Sequence, residues 1–145
     1  MPDFLTYTDG GARGNPGPAG AGVVVQDGAG NTLAELAKPL GQMTNNQAEY
    51  WGLIFALEQV RELATVQGLS APSVTCYLDS ELIVQQMNGL YKIKNEGLKP
   101  LYGRVRELVM TLGGTVTFSH IPRRQNKRAD ELSNDAMDIV ESKRT

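Results

Sequence analysis

The chain has 145 residues, a formal net charge of −2, and 41% hydrophobic and 21% charged residues. That is enough for one domain with its own core and too little for two ordinary ones, and nothing in the overall charge announces a polyanionic partner. Any such partner must be held by local patches. The lone cysteine, Cys76, excludes an internal disulfide, no Cys/His cluster suggests zinc, and its apolar neighbours make it a small buried hydrophobe. Met1-Pro2-Asp3 does not open a basic-then-apolar leader, and no apolar run approaches the roughly 18 residues of a membrane span. A cytoplasmic protein with no membrane partner is expected.

Phe4 to Asp9 alternates with a period of two and reads as a strand that delivers one carboxylate to its end. Gly10, Gly11 and Gly14 then read as a glycine-rich turn, where φ > 0 and close approach of a ligand are allowed. Gly22–Gln26 and Thr32–Ala37 read as two strands joined across Asp27-Gly28, which predicts three consecutive antiparallel strands. Thr44 with Gln47 three residues on fits a capping box opening a helix, whose buried stripe is Ala48, Trp51, Phe55, Ala56, Val60 and Leu63. Gly52 inside that helix costs about 1 kcal/mol against alanine, which close approach to another element would explain.

Val74 to Asp79 is a further strand ending in an aspartate, and Tyr77-Leu78-Asp79-Ser80 echoes Tyr7-Thr8-Asp9-Gly10. A strand, a crossover helix and a second strand make a right-handed parallel unit. Side by side, the two aspartates would stand about 5 Å apart, where open α/β sheets place ligands. A short helix capped by Ser80 follows, then a loop from Asn88 to Pro100 carrying Lys92, Lys94 and Lys99. A helix over Leu101–Leu112, a strand over Thr115–His120, a basic loop over Pro122–Arg128 and a helix from Asn126 to Val140 complete the chain, the last with Ala129, Leu132, Ala136 and Ile139 inward. No linker or low-complexity tract divides residues 1–145, which read as one catalytic domain with a frayed tail at Glu141–Thr145.

The topology can bring Asp9, Glu49, Asp79 and Asp130 to one edge of the sheet. Such a cluster cannot ionise fully without a cation, because like charges raise one another's pKa. All-oxygen ligands suit Mg²⁺, with Mn²⁺ as a substitute, rather than zinc. Two such ions about 3.5–4 Å apart would activate water and steady the leaving oxygen in phosphodiester hydrolysis. Each acid taken alone could equally be a solvated surface charge. Glu58, Glu62, Glu107, Asp135 and Asp138 read as exposed helix charges.

Asp9-Gly10-Gly11 with Gly14-Asn15-Pro16-Gly17-Pro18, Thr44-Asn45-Asn46-Gln47-Ala48-Glu49, Asp79-Ser80 and Asn126-x-x-Ala129-Asp130 together resemble type 1 ribonuclease H over nearly the whole chain. The fold this resemblance implies is α/β: a five-stranded mixed sheet, three antiparallel strands then parallel ones, with helices on both faces. The implied activity is endonucleolytic cleavage of the RNA strand of RNA–DNA hybrids, leaving 5′-phosphate and 3′-hydroxyl ends. The implied catalytic and metal-binding set is Asp9, Glu49, Asp79 and Asp130, with the Gly10 backbone as a further metal contact. Substrate contacts fall on Gly11, Asn15, Thr44, Asn45, Asn46, Asn126 and Arg123. A monomer without an obligate protein partner is expected.

Physical chemistry supports several of these contacts. Thr44, Asn45 and Asn46 set hydroxyl, amide and free N–H groups at a helix N-terminus, a natural phosphate seat. Gly10, Gly11 and Asn15 can face the wide minor groove of an A-like hybrid, where 2′-hydroxyls are displayed. Arg123, Arg124, Lys127 and Arg128 form the strongest basic run and can bind phosphates or simply be solvated.

Two departures from the family stand out. Many members carry a basic, tryptophan-bearing protrusion, whereas Asn88–Pro100 is short and Trp51 is the only tryptophan. The family often carries a histidine in a flexible loop before the last aspartate; His120, the only histidine here, lies at a strand end before Pro122. Both a proton-shuttle or product-release role and a strand-end hydrogen bond stay open for it. Competing readings are another nuclease of the superfamily, such as an integrase or junction resolvase, and a catalytically dead hybrid-binding module. No G-x-S-x-G elbow or P-loop pattern is present.

Overall fold

The computed structural model describes residues 1–143. Strands β1 (Phe4–Ala12), β2 (Gly17–Asp27) and β3 (Thr32–Met43) lead into helix α1 (Asn45–Gln67). Strand β4 (Ser73–Leu78), helices α2 (Glu81–Met87) and α3 (Lys99–Leu112), strand β5 (Thr115–His120), a 3₁₀ turn over Arg123–Gln125 and helix α4 (Lys127–Ser142) follow. The sheet order is β3-β2-β1-β4-β5. β1–β2 and β2–β3 pair antiparallel, and β1–β4 and β4–β5 pair parallel, as the sequence pattern predicts.

The glycine-rich turn is shorter than expected. Gly10 and Gly11 continue β1, paired with Ala21 and Gly20, and the chain turns only over Arg13–Pro16. Of the three glycines that would allow φ > 0, only Gly14 adopts it, at 103°. β2 and β3 are correspondingly longer than the apolar runs suggested. In β2 the small residues Gly17–Ala21 continue the ladder where side-chain patterning gives no signal.

Helices lie on both faces because β2 is buried on both. On one face, Ala21 lies under Gly52 of α1, where a Cβ would sit 3.5 Å from the Ala21 Cβ and 3.3 Å from the Asp9 carbonyl oxygen. That close approach accounts for a glycine within the helix. On the other face, α4 lies against Gly20 and Gly22. Helix α3 packs on α1, so α1 is covered on two sides. The buried residues are therefore Tyr50, Leu53, Ile54 and Leu57 with Ala48, Ala56 and Val60, whereas Trp51, Phe55 and Leu63 are only partly buried. One amphipathic stripe was the wrong template for a helix with two partners.

Thr44 caps α1 in the predicted box: its hydroxyl accepts from the Gln47 N–H at 3.2 Å, and the Gln47 side chain accepts from the Thr44 N–H at 2.9 Å. Thr44→Ala is expected to cost about 1 kcal/mol. A denaturation curve would show this as a lower midpoint at unchanged slope.

Helix α3 begins two residues before the expected Leu101, with Pro100 in its first turn, where a missing N–H costs nothing. In α4, Ile139 is 40% exposed, and Ser133, Met137 and Val140 are buried instead. The first two residues of the tail expected to fray, Glu141 and Ser142, are helical. The helix continues through Ser142, and Glu141 accepts a hydrogen bond from Arg13 at 2.8 Å. Residues 144 and 145 of that tail lie outside the described residues. No helix among the described residues is long and apolar enough to cross a membrane.

Candidate active site

Tyr7 and Tyr77 are register partners on the parallel strands β1 and β4, and their rings stack with centroids 5.1 Å apart. Two residues further along each strand, on the same face, stand Asp9 and Asp79. Glu49 reaches them from the start of α1. One oxygen from each of Asp9, Glu49 and Asp79 lies within 4.8 Å of the other two. The echo of Tyr-x-Asp in the sequence thus becomes a pair of neighbouring carboxylates through register alone.

The Gly10 N–H joins two of them, donating to Asp9 Oδ1 at 3.0 Å and to Glu49 Oε1 at 3.1 Å. Asp9 and Glu49 are both buried. Burial first, then the Asp79 charge, then hydrogen bonding and charge from Asp130 push the Asp9 carboxyl up to about 7. Burial, followed by the charges of Asp9 and Asp79, raises Glu49 well above the usual carboxylate range. Glu49 Oε2 is buried with no hydrogen-bond partner among the described residues. Three convergent carboxylates, one with a buried oxygen lacking a donor, fit a hard divalent cation such as Mg²⁺ or Mn²⁺.

A cavity of about 500 Å³ opens over this cluster. Asp9, Gly10, Gly11, Asn45, Asn46, Glu49, Asp79, Arg123 and Asp130 all line it. Asp130 stands at its rim, half-buried, with Arg123 at 3.5 Å. Asn15 is near but occupied: its side-chain oxygen accepts from the Asn45 N–H at 3.0 Å, while Asn45 Oδ1 accepts from the Ala12 N–H at 2.7 Å. These bonds lock the β1–β2 turn to the start of α1. Thr44 is engaged in its cap and does not line the cavity.

Two other residues lie apart from the cavity. Asn126 is 1% exposed and donates to the Thr8 carbonyl at 2.8 Å, anchoring the start of α4 to β1. His120 is exposed, with Nε2 3.3 Å from the Asp79 carbonyl oxygen, so in this structure it makes the strand-end contact. Within the basic run, Arg128 is bound to Glu35 and Glu131, leaving Arg123 as the member that lines the cavity.

Arg13, Ser133 and Asn134 also line the cavity and were not singled out from the sequence. Arg13 bonds Asp138 at 2.6 Å, Glu141 at 2.8 Å and the Asn134 side chain at 3.2 Å. Asp138, read as a solvated charge, is therefore an anchor for the turn. Asn134 in turn donates to the Asp130 carbonyl at 2.9 Å. The available signal was spacing: residues 130, 133, 134, 137, 138 and 141 share one helix face.

The Reverse transcriptase-like family matches residues 7–136. Bifunctional protein Rv2228c of Mycobacterium tuberculosis is 42% identical over 133 residues, covering 91% of this chain and 35% of that protein. Ribonuclease HI of Halobacterium salinarum is 39% identical over 132 residues, covering 91% of this chain and 63% of that protein. The chain therefore spans less than two thirds of either relative. The crystal structure of LC11-RNase H1 in complex with RNA/DNA hybrid has a TM-score of 0.88 at 47% identity, covering 94% of this chain and 98% of that one. By likeness that extends over nearly all of its sequence and its fold, this chain belongs to the type 1 ribonuclease H family.

Proposed function

We propose that this chain is a divalent-metal-dependent endoribonuclease that hydrolyses the RNA strand of RNA–DNA hybrids, leaving 5′-phosphate and 3′-hydroxyl ends. The observation that carries the reading is the meeting of Asp9, Glu49 and Asp79 oxygens within 4.8 Å beside an unpartnered Glu49 Oε2. The relative solved with an RNA/DNA hybrid supports the substrate class.

Asp9, Glu49 and Asp79 would hold the cations, with Asp130 at the rim completing the set. Mg²⁺ or Mn²⁺, two ions per site with substrate, would supply positive charge that lowers the pKa of water and steadies the leaving oxygen. The chain's own residues do the rest. Gly10 orients Asp9 and Glu49 through its N–H. Gly11, Asn45 and Asn46 line the floor against which the RNA strand lies, and Asn15 holds that floor in register. Arg123 offers a guanidinium to a phosphate near Asp130. The absence of the basic protrusion leaves the hybrid dependent on this floor and on Arg123. His120 steadies the Asp79 carbonyl. The protein works as a monomer in the cytoplasm.

A labelled RNA–DNA hybrid incubated with Mg²⁺, Mn²⁺ or chelator, beside duplex DNA and duplex RNA, tests this reading. The expected result is metal-dependent cutting of the RNA strand of the hybrid alone. Binding without cutting would favour a dead module, and cutting of duplex DNA would favour another nuclease of the superfamily.

A further inference from the structure

Ser133 is 1% exposed on the face of α4 that lies on the sheet. It reaches that depth because β2 presents glycines beneath it. A Cβ at Gly22 would come within 2.0 Å of the Ala129 carbonyl oxygen and 2.7 Å of the Ser133 nitrogen. A Cβ at Gly20 would come within 2.8 Å of the Ser133 carbonyl oxygen. Helix backbone therefore rests directly on strand backbone, and the Ser133 hydroxyl arrives 3.1 Å from Asp9 Oδ2.

A second acceptor competes for that hydroxyl, the Asp130 carbonyl at 2.8 Å. A serine has one hydrogen to give. The Asp130 carbonyl has another donor in Asn134 Nδ2 at 2.9 Å, whereas Ser133 is the neutral donor that reaches Asp9 Oδ2 among the described residues. The other Asp9 oxygen is already held by the Gly10 N–H at 3.0 Å. Rotation about χ2 of an aspartate is broad and close to two-fold, so a single donor does not define the plane of the carboxylate. A donor on each oxygen does.

We propose that Ser133 is a positioning residue for the metal-binding carboxylates: its hydroxyl donates to Asp9 Oδ2, fixes the plane of that group and ties it to the helix carrying Asp130. The inference rests on Asp9 being a metal ligand and assigns a neutral side chain to the site. Groups that orient ligating carboxylates typically change metal affinity about 10–100-fold when removed.

The test is a Mn²⁺ titration of Ser133→Ala followed by electron paramagnetic resonance, without substrate. Mn²⁺ affinity is expected to fall about tenfold, with the KM for hybrid unchanged and the lost kcat recovered at higher Mn²⁺. Ser133→Cys keeps the volume with a weaker donor and should fall between the two. Alanine is the better helix former, so thermal melts should show an intact fold; if they do not, Ser133→Cys carries the test. Affinity within about twofold of the unaltered protein in the folded variant, well short of the loss expected for such a group, would overturn the proposal. Because the titration uses no hybrid, failure of the unaltered protein to cut hybrid overturns the hydrolytic reading and leaves the Ser133 result standing.

Discussion

Asp9→Asn is expected to abolish metal-dependent cleavage while leaving the metal-free protein as stable as the unaltered one, or more so. Asn keeps the shape and still accepts from the Gly10 N–H, but it removes one of three crowded negative charges. Losing a ligand that stabilises developing charge by several kcal/mol corresponds to a rate loss of roughly 10³-fold or more. The stability effect has the opposite sign. Asp9 ionises at about 7 in the folded chain, against about 4 in an unfolded one. Across that window the native state holds more protons at Asp9 than the unfolded state does, so Asp9 makes stability in chelator fall as pH rises from about 4 to about 7. The slope corresponds to at most a few kcal/mol for a shift of this size, shared with Glu49 through their coupling.

Asp9→Asn should flatten that slope. Mg²⁺ should stabilise the unaltered protein increasingly as pH rises through about 7, where Asp9 becomes charged beside its neighbours. Thermal melts across pH, with and without chelator, read both effects. A variant much less stable than the unaltered protein in chelator would show that Asp9 stabilises the fold by its charge, contrary to the repulsion argued here.

Gly10→Ala should be the most damaging single methyl group in the chain's first strand. Its Cβ would stand 2.3 Å from the Ala48 carbonyl oxygen and 2.5 Å from the Glu49 nitrogen. Both are helix backbone, and neither can turn aside as a side chain can. Relief requires β1 and α1 to separate at the point where Asp9 and Glu49 meet. A loss of about 3 kcal/mol or more is expected, at the upper end of what overpacking costs, together with most of the cleavage activity.

Gly11→Ala is the internal control. Its Cβ would meet the flexible end of Met137 at 3.5 Å, an ordinary contact, and its φ is not positive. It should change stability by less than about 1 kcal/mol, as surface-like substitutions do. Urea denaturation of the pair separates the two positions. Equal losses in both variants would mean that strand propensity, rather than helix contact, governs this segment.

The contrast between these neighbouring glycines shows where sequence reading stops. Both were read as parts of a turn, because Gly-Gly carries no side-chain pattern to mark a strand. The structure runs the strand straight through them, and only Gly10 lies against helix backbone, Gly11 facing the end of a flexible side chain. Patterns within a few residues were legible: the alternation of β1, the capping box at Thr44, the Tyr-x-Asp echo and the spacing from Asn126 to Asp130. They specify element type, order and one face of each element, because caps and hydrophobic periods are nearest-neighbour effects.

That local record placed Asp9 and Asp79 side by side, since the crossover from β1 to β4 has one favoured hand, and the family resemblance added Glu49 and Asp130. The structure clusters oxygens of Asp9, Glu49 and Asp79 and leaves Asp130 lining the same cavity. The local record did not reveal that α3 packs on α1, or that Tyr50, Leu53, Ile54 and Leu57 are among the buried residues of that helix. It did not reveal the Gly10 N–H between two carboxylates, the Arg13 anchor on Asp138 and Glu141, or the Ser133 hydroxyl at Asp9. The Gly10–Glu49, Arg13 and Ser133–Asp9 bonds join groups 39 to 128 residues apart, and no period or spacing encodes which polar atoms will face one another across that distance. The amino-acid order alone therefore determined the type and order of the strands and helices, and pointed to the acids as candidates. Only tertiary packing decided which neutral groups hold those acids in place, because hydrogen-bond geometry exists only once backbone rests on backbone.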